Sequence, residues 1–105
     1  MYRTTITIIS PTLTFSTVQE FVDEIEQYFQ GVSYPTWIDG INDYISLNLI
    51  ENVSQSLLND TTLETVIDWV DEASYNSFYN SSGALNSITA AESAGYIRTV
   101  VEEIF

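Results

Sequence analysis

The side chains able to do chemistry in this chain are few, and their types narrow the reactions. Cys, His and Lys are all absent from its 105 residues. Their absence removes thiolate and imidazole catalysis, the Ser-His-Asp triad, Schiff bases, zinc-thiolate sites and iron–sulfur clusters. Carboxylates, the hydroxyls of Tyr, Ser and Thr, and two Arg are what is left. Oxygen ligands alone can hold Mg²⁺ or Ca²⁺, but no EF-hand spacing occurs among the acids. No metal and no cofactor are expected.

Four residues stand out as candidates for binding a ligand: Arg98, Trp69, Trp37 and Tyr44. Arg98 is the only cation beyond residue 3 and lies in an apolar, β-branched run. It could hold a carboxylate or an enolate in a cavity beneath a sheet. The commoner use of such an Arg is an ion pair with an acid across the sheet or across a subunit interface. Trp69 stands between Asp68 and Val70 at the end of a strand-like run. It could line a pocket, although indoles more often anchor a core or an interface. Trp37 and Tyr44 fall in a segment that could lid a cavity or cover a sheet edge. The tyrosines as a group suit interfaces, where one end of the ring is wet. Glu102 and Glu103 are adjacent on a strand, so they point to opposite faces and form no acid/base pair.

Fifteen acids against two arginines give a net charge of −13. That charge repels nucleic-acid phosphates and anionic membranes, so neither is an expected partner. It keeps a small protein soluble, and it would also suit a basic partner. The start, Met1-Tyr2-Arg3-Thr4-Thr5, has no apolar core of a signal peptide. No apolar run nears the roughly 20 residues of a membrane span. A cytoplasmic location is expected, and the sequons at Asn52, Asn59 and Asn80 read as chance matches.

The elements that must position these residues follow from periodicity. Residues 2–9 alternate, with Tyr2, Thr4, Ile6 and Ile8 on one face, and predict a strand that Pro11 ends. Residues 17–30 predict a helix with a stripe of Val18, Phe21, Val22, Ile25 and Phe29. Its cap is Thr17 with Glu20 or Ser16 with Gln19, and Gly31 is a natural stop. Residues 31–49 fit a short helix near 36–46 or a loop running into a strand. Residues 50–58 and 62–70 predict a hairpin about Asn59-Asp60-Thr61. Asp71 caps a helix from Glu72 to about Ser81, and a further helical piece runs from Ala84 to Ala94. Gly95 stops it, and the β-branched tail from Tyr96 to Phe105 predicts a last strand, apolar on both faces.

Strand, helix, strand, strand, helix, strand is the βαββαβ order of an α+β ferredoxin-like domain, here spanning residues 1–105. Right-handed crossovers give the spatial order 4-1-3-2 in a four-stranded antiparallel sheet with helices on one face. The other face is bare, and apolar residues on it invite a sheet-to-sheet homodimer.

The segment Thr65-Val66-Ile67-Asp68-Trp69-Val70-Asp71-Glu72-Ala73-Ser74-Tyr75-Asn76-Ser77-Phe78 resembles the third strand and second helix of dimeric α+β barrel proteins, the antibiotic-biosynthesis-monooxygenase-like superfamily. The shared pattern is a strand ending in Trp, an acidic cap, an Ala, an aromatic and a Phe. The Gly95-to-Phe105 strand after an Ala-rich helix is similar too. The resemblance implies a dimer and a cavity between sheet and helices. It also implies a range of chemistries, from cofactor-free monooxygenases to isomerase-like and haem-degrading members. The chain departs from the haem-degrading pattern, because it has no His for the iron. The quinone-forming type uses a pocket of Tyr, Trp, Asn and Arg, whose residue types occur here without a positional match.

Two functions follow as expectations. One is a homodimer that binds a small hydrophobic or aromatic molecule, with cofactor-independent oxygenase or isomerase-like chemistry. The other is a non-enzymatic acidic protein that binds a basic partner or mimics nucleic acid. An enclosed cavity containing Arg98 or Trp69 would favour the first. A continuous band joining Glu20, Asp23, Glu24 and Glu26 to other acids would favour the second.

Overall fold

A computed structural model describes residues 1–105. Its elements in chain order are β1 (Tyr2–Ile9), α1 (Val18–Glu26), α2 (Trp37–Ser46), β2 (Ile50–Asn59), β3 (Thr62–Trp69), α3 (Glu72–Tyr79), α4 (Ser82–Ser93) and β4 (Ile97–Ile104). The strands form one antiparallel sheet in the order β2-β3-β1-β4, as the crossover rule requires. Each crossover carries two helices. No helix is long and apolar enough to cross a membrane.

Local chemistry explains most boundaries. Thr17, not Ser16, caps α1 by accepting the Glu20 amide at 3.2 Å. Asp71 caps α3 by accepting the Ser74 amide at 2.8 Å, and Ser81 caps α4 by accepting the Ala84 amide. Gly95 follows α4 with φ at +100°, a conformation open to glycine.

Two segments differ from, or decide between, the expectations. Helix α1 ends at Glu26 rather than at residue 30, because the chain tightens there. The Tyr28 and Phe29 amides bond back three residues, to the carbonyls of Ile25 and Glu26. This turn brings the Tyr28 ring to 5.7 Å from that of Tyr96. Residues 37–46 are a helix, capped by Thr36 through the Asp39 amide.

The sheet has two unlike faces. On the helix side lie Tyr2, Thr4, Ile6, Ile67 and Trp69, all buried. They pack in two clusters. One joins Tyr2, Ile6, Ile67 and Trp69 to Ile41 of α2 and Phe78 of α3. The other joins Leu63 and Tyr96 to Phe15 and to Phe21 of α1. Ile8 touches both.

The open face is less oily than the strand pattern suggests. Register places Thr5, Thr7, Ser54, Ser56, Glu64 and Val66 there, together with the ion pair of Arg3 and Asp68. Its apolar surface is concentrated on β4, where Ile97 and Val101 are more than half exposed, as is Phe105 beyond it. The last strand is thus covered by helices on one side only within a single chain.

Candidate functional site

Between the two core clusters the helices fail to close on the sheet, and a chamber of about 400 Å³ remains. That volume falls within the roughly 300–1,000 Å³ typical of small-molecule sites. Ile6, Ile8 and Leu63 form its floor, Val22 and Ile25 of α1 one wall, and Ile88 and Ala91 of α4 another. Phe29, Tyr34 and Trp37 close the side toward the α1–α2 connection. Most of the lining is apolar, and the polar groups set among it define what it can do.

One cluster of them forms around Arg98. Its side chain projects from β4 to the helix side of the sheet, because it stands opposite Ile8 in the register with β1. The guanidinium carbon lies 5.2 Å from the centre of the Tyr79 ring. Its Nη2 is enclosed and has no hydrogen-bond partner. Tyr79 in turn accepts the indole N–H of Trp37 at 3.2 Å. Burial raises the pKa of the Tyr79 hydroxyl above the ordinary value, against the opposing pull of the Trp37 bond and the Arg98 charge. The phenol therefore stays protonated at neutral pH.

The ion pair considered for Arg98 belongs instead to the other arginine. Arg3 stands directly across from Asp68 on β3 and holds it at two points, Nε to Oδ1 at 2.6 Å and Nη2 to Oδ2 at 3.0 Å. This is the only ion pair in the structure.

The other candidates separate cleanly. Trp37 and Tyr44 both line the chamber. The Tyr44 hydroxyl is taken up by Ser77 of α3, 2.7 Å away. Trp69 does not reach the chamber. It is fully buried among Tyr44, Tyr75, Phe78 and Tyr79, and its indole N–H is spent on Thr4 at 2.9 Å. Trp69 is thus placed as a core anchor, the commoner of its two expected roles, by the strand parity that also buries Ile67.

Glu26 and Tyr79 were not among the candidates. Glu26 closes α1 and accepts the Trp37 backbone amide at 3.0 Å, which ties the end of α1 to the start of α2. Burial at the chamber wall raises its pKa above the usual carboxylate value. Being drawn inward, it does not extend the band begun by Glu20 and Asp23. A carboxylate ending an amphipathic stripe, one helical turn after Val22, was the available signal. Nothing local marked Tyr79, because its importance depends on β4 arriving beside α3. No group of three or more carboxylates is placed to hold a metal ion.

No family model matches the chain, and no curated protein does. Solved structures do. A protein provisionally designated an antibiotic biosynthesis monooxygenase, from Deinococcus radiodurans, superposes over 100% of this chain and 92% of its own with a TM-score of 0.67 and 9% identity. A second antibiotic biosynthesis monooxygenase superposes over 100% and 98%, with a TM-score of 0.58 and 10% identity. A dimeric ferredoxin-like protein from an uncultured marine organism superposes over 98% and 91%, at 0.53 and 9%. The chain has the ferredoxin-like fold of these structures. At such identities the likeness is one of backbone path, and the side chains of the chamber must be read for themselves.

Proposed function

We propose that the chain binds a small hydrophobic or aromatic molecule in the chamber between sheet and helices. The observation that carries this reading is the gap itself: a largely apolar space of about 400 Å³, lined in part by Arg98, whose Nη2 is enclosed and unpartnered. A chain that needed only a stable core would close that gap, since unfilled apolar space costs stability. The fold's association with antibiotic biosynthesis monooxygenases supports a further step, cofactor-independent oxygenase or isomerase-like turnover. Arg98 would hold an enolate or phenolate of the substrate, with Tyr79 and Trp37 beside it. The substrate C–H proton would pass to solvent, and the anion would add dioxygen, one oxygen atom ending as a carbonyl on that carbon and the other leaving as water; alternatively the anion would take up a proton from solvent at another carbon. The inward turn of Glu26 weighs against the reading as an acidic decoy.

The working unit in this proposal is a homodimer, in which a second copy covers the open face and the β4 residues Ile97 and Val101. The dimeric ferredoxin-like neighbour supports it. Light scattering after size exclusion is expected to give twice the chain mass of 11.9 kDa. A single-chain mass at micromolar concentration would overturn the dimer and leave the chamber untouched.

The chamber is tested with a neutral fluorescent aromatic, N-phenyl-1-naphthylamine. Saturable enhancement of its emission is expected, and it should be lost in Ile88→Trp, which fills the space from α4. Equal enhancement in both proteins would place binding elsewhere and contradict the proposal.

A further inference from the structure

Resting on the reading above, we infer that the ligand is an acid, bound as its carboxylate, with Arg98 Nη2 and the Tyr79 hydroxyl as its two anchors. The chemistry of the polar cluster requires an acceptor that the chain does not supply. Arg98 has only donors, and its enclosed Nη2 finds no oxygen. The Tyr79 oxygen is already an acceptor for Trp37 at 3.2 Å. Its own proton is donated to no group of the chain, so it too is free to point at a ligand.

No acid of the chain forms an ion pair with Arg98, neither Glu92 of the chamber lining nor Glu102 on the same face of β4. Glu26 takes the Trp37 amide, and Asp68 is held on the opposite face of the sheet by Arg3. The chain carries fifteen acids, yet the one guanidinium on the helix side meets none of them. Arg98 is half-buried; enclosing its Nη2 without an acceptor is unfavourable, and an entering carboxylate relieves it. A neutral acceptor would satisfy the hydrogen bonds and leave the charge uncompensated. The apolar floor and walls set the remainder of the ligand as a flat, conjugated or aromatic body. An aromatic or conjugated carboxylic acid has both features.

The test compares naphthalene-2-carboxylate with naphthalene-2-carboxamide, which has the same shape and no charge. Calorimetric titration of the wild-type chain at pH 7 is expected to favour the acid by about tenfold or more. In Arg98→Met the preference should vanish while the amide still binds, and in Tyr79→Phe it should shrink. Far-UV circular dichroism checks that both variants keep the fold, and the wild-type comparison needs neither of them. Equal binding of acid and amide by the wild-type chain would overturn the carboxylate inference and leave the chamber standing. Preference for the acid that survives in Arg98→Met would overturn the anchor. Binding of neither compound would sink both this inference and the ligand chamber beneath it.

Discussion

The indole N–H of Trp37 donates to the Tyr79 hydroxyl at 3.2 Å, joining the first residue of α2 to the last residue of α3. One of these rings forms part of the chamber wall and the other supports the Arg98 guanidinium. The bond therefore couples the covering helices to the polar group. Tyr79→Phe is expected to leave the Trp37 N–H unpaired and lower stability by about 1 kcal/mol. Chemical denaturation measures this, and affinity for neutral N-phenyl-1-naphthylamine should stay within a factor of two or so.

Trp69 gives a larger effect of the same kind. Replacing it with Phe removes an indole edge from the sealed core and leaves the Thr4 hydroxyl without its donor. A loss of about 2 kcal/mol is expected, with ligand affinity unchanged. Comparable loss of affinity would mean that the two core clusters and the chamber behave as one unit.

Gly40 lies inside α2, where a β-carbon would stand 2.9 Å from Tyr34 Cδ2 and 3.0 Å from Phe78 Cε2. Gly→Ala in an exposed helix interior is worth up to about 1 kcal/mol in stability. Here the buried Phe78 ring must move, so Gly40→Ala should instead destabilise by about 1–2 kcal/mol. A rise in melting temperature would show that α2 sits farther from α3.

Glu26 sets a pH dependence of one sign. Burial raises its pKa in the folded chain, against the bond from the Trp37 amide, so the folded state holds the proton more tightly than the unfolded one. Ionisation above the carboxylate range then works against the fold. Glu26→Gln keeps a carbonyl for the Trp37 amide and removes that charge. It is expected to raise the melting temperature at pH 7 and to change it little at pH 4.

Asp68 sets the other sign. The two-point grip of Arg3 holds its carboxyl below the usual range, so its contribution is present above about pH 4 and is lost as pH falls further. Asp68→Asn should melt below the wild type at pH 7, and the two curves should converge near pH 2. A gap that persists in acid would show that packing, not charge, is at stake.

Much of the fold could be read from the sequence wherever a residue's role is local. The alternation of Tyr2, Thr4 and Ile6 against Arg3 and Thr5 needs no partner to be visible, nor do the capping side chains of Thr17 and Asp71. The illegible parts depend on distant neighbours. Gly40 looks like a helix breaker until Phe78 is seen against it. Tyr28 follows directly on the helical stripe of Phe21 and Ile25, yet turns away toward Tyr96. Of two arginines and fifteen acids, register alone decided that Arg3 meets Asp68, and this left Arg98 for the chamber. Trp37 and Trp69 are equally conspicuous in the chain, but strand parity buried one and a helix N-terminus brought the other to the cavity wall.

The most direct test is a crystal structure of the chain soaked with naphthalene-2-carboxylate. The ligand is expected between Ile8, Ile88 and Trp37, with a carboxylate oxygen within hydrogen-bond reach of Arg98 Nη2. A structure in which side chains of α1 and α4 meet across that space, with Arg98 paired to an acid of the chain, would contradict the account.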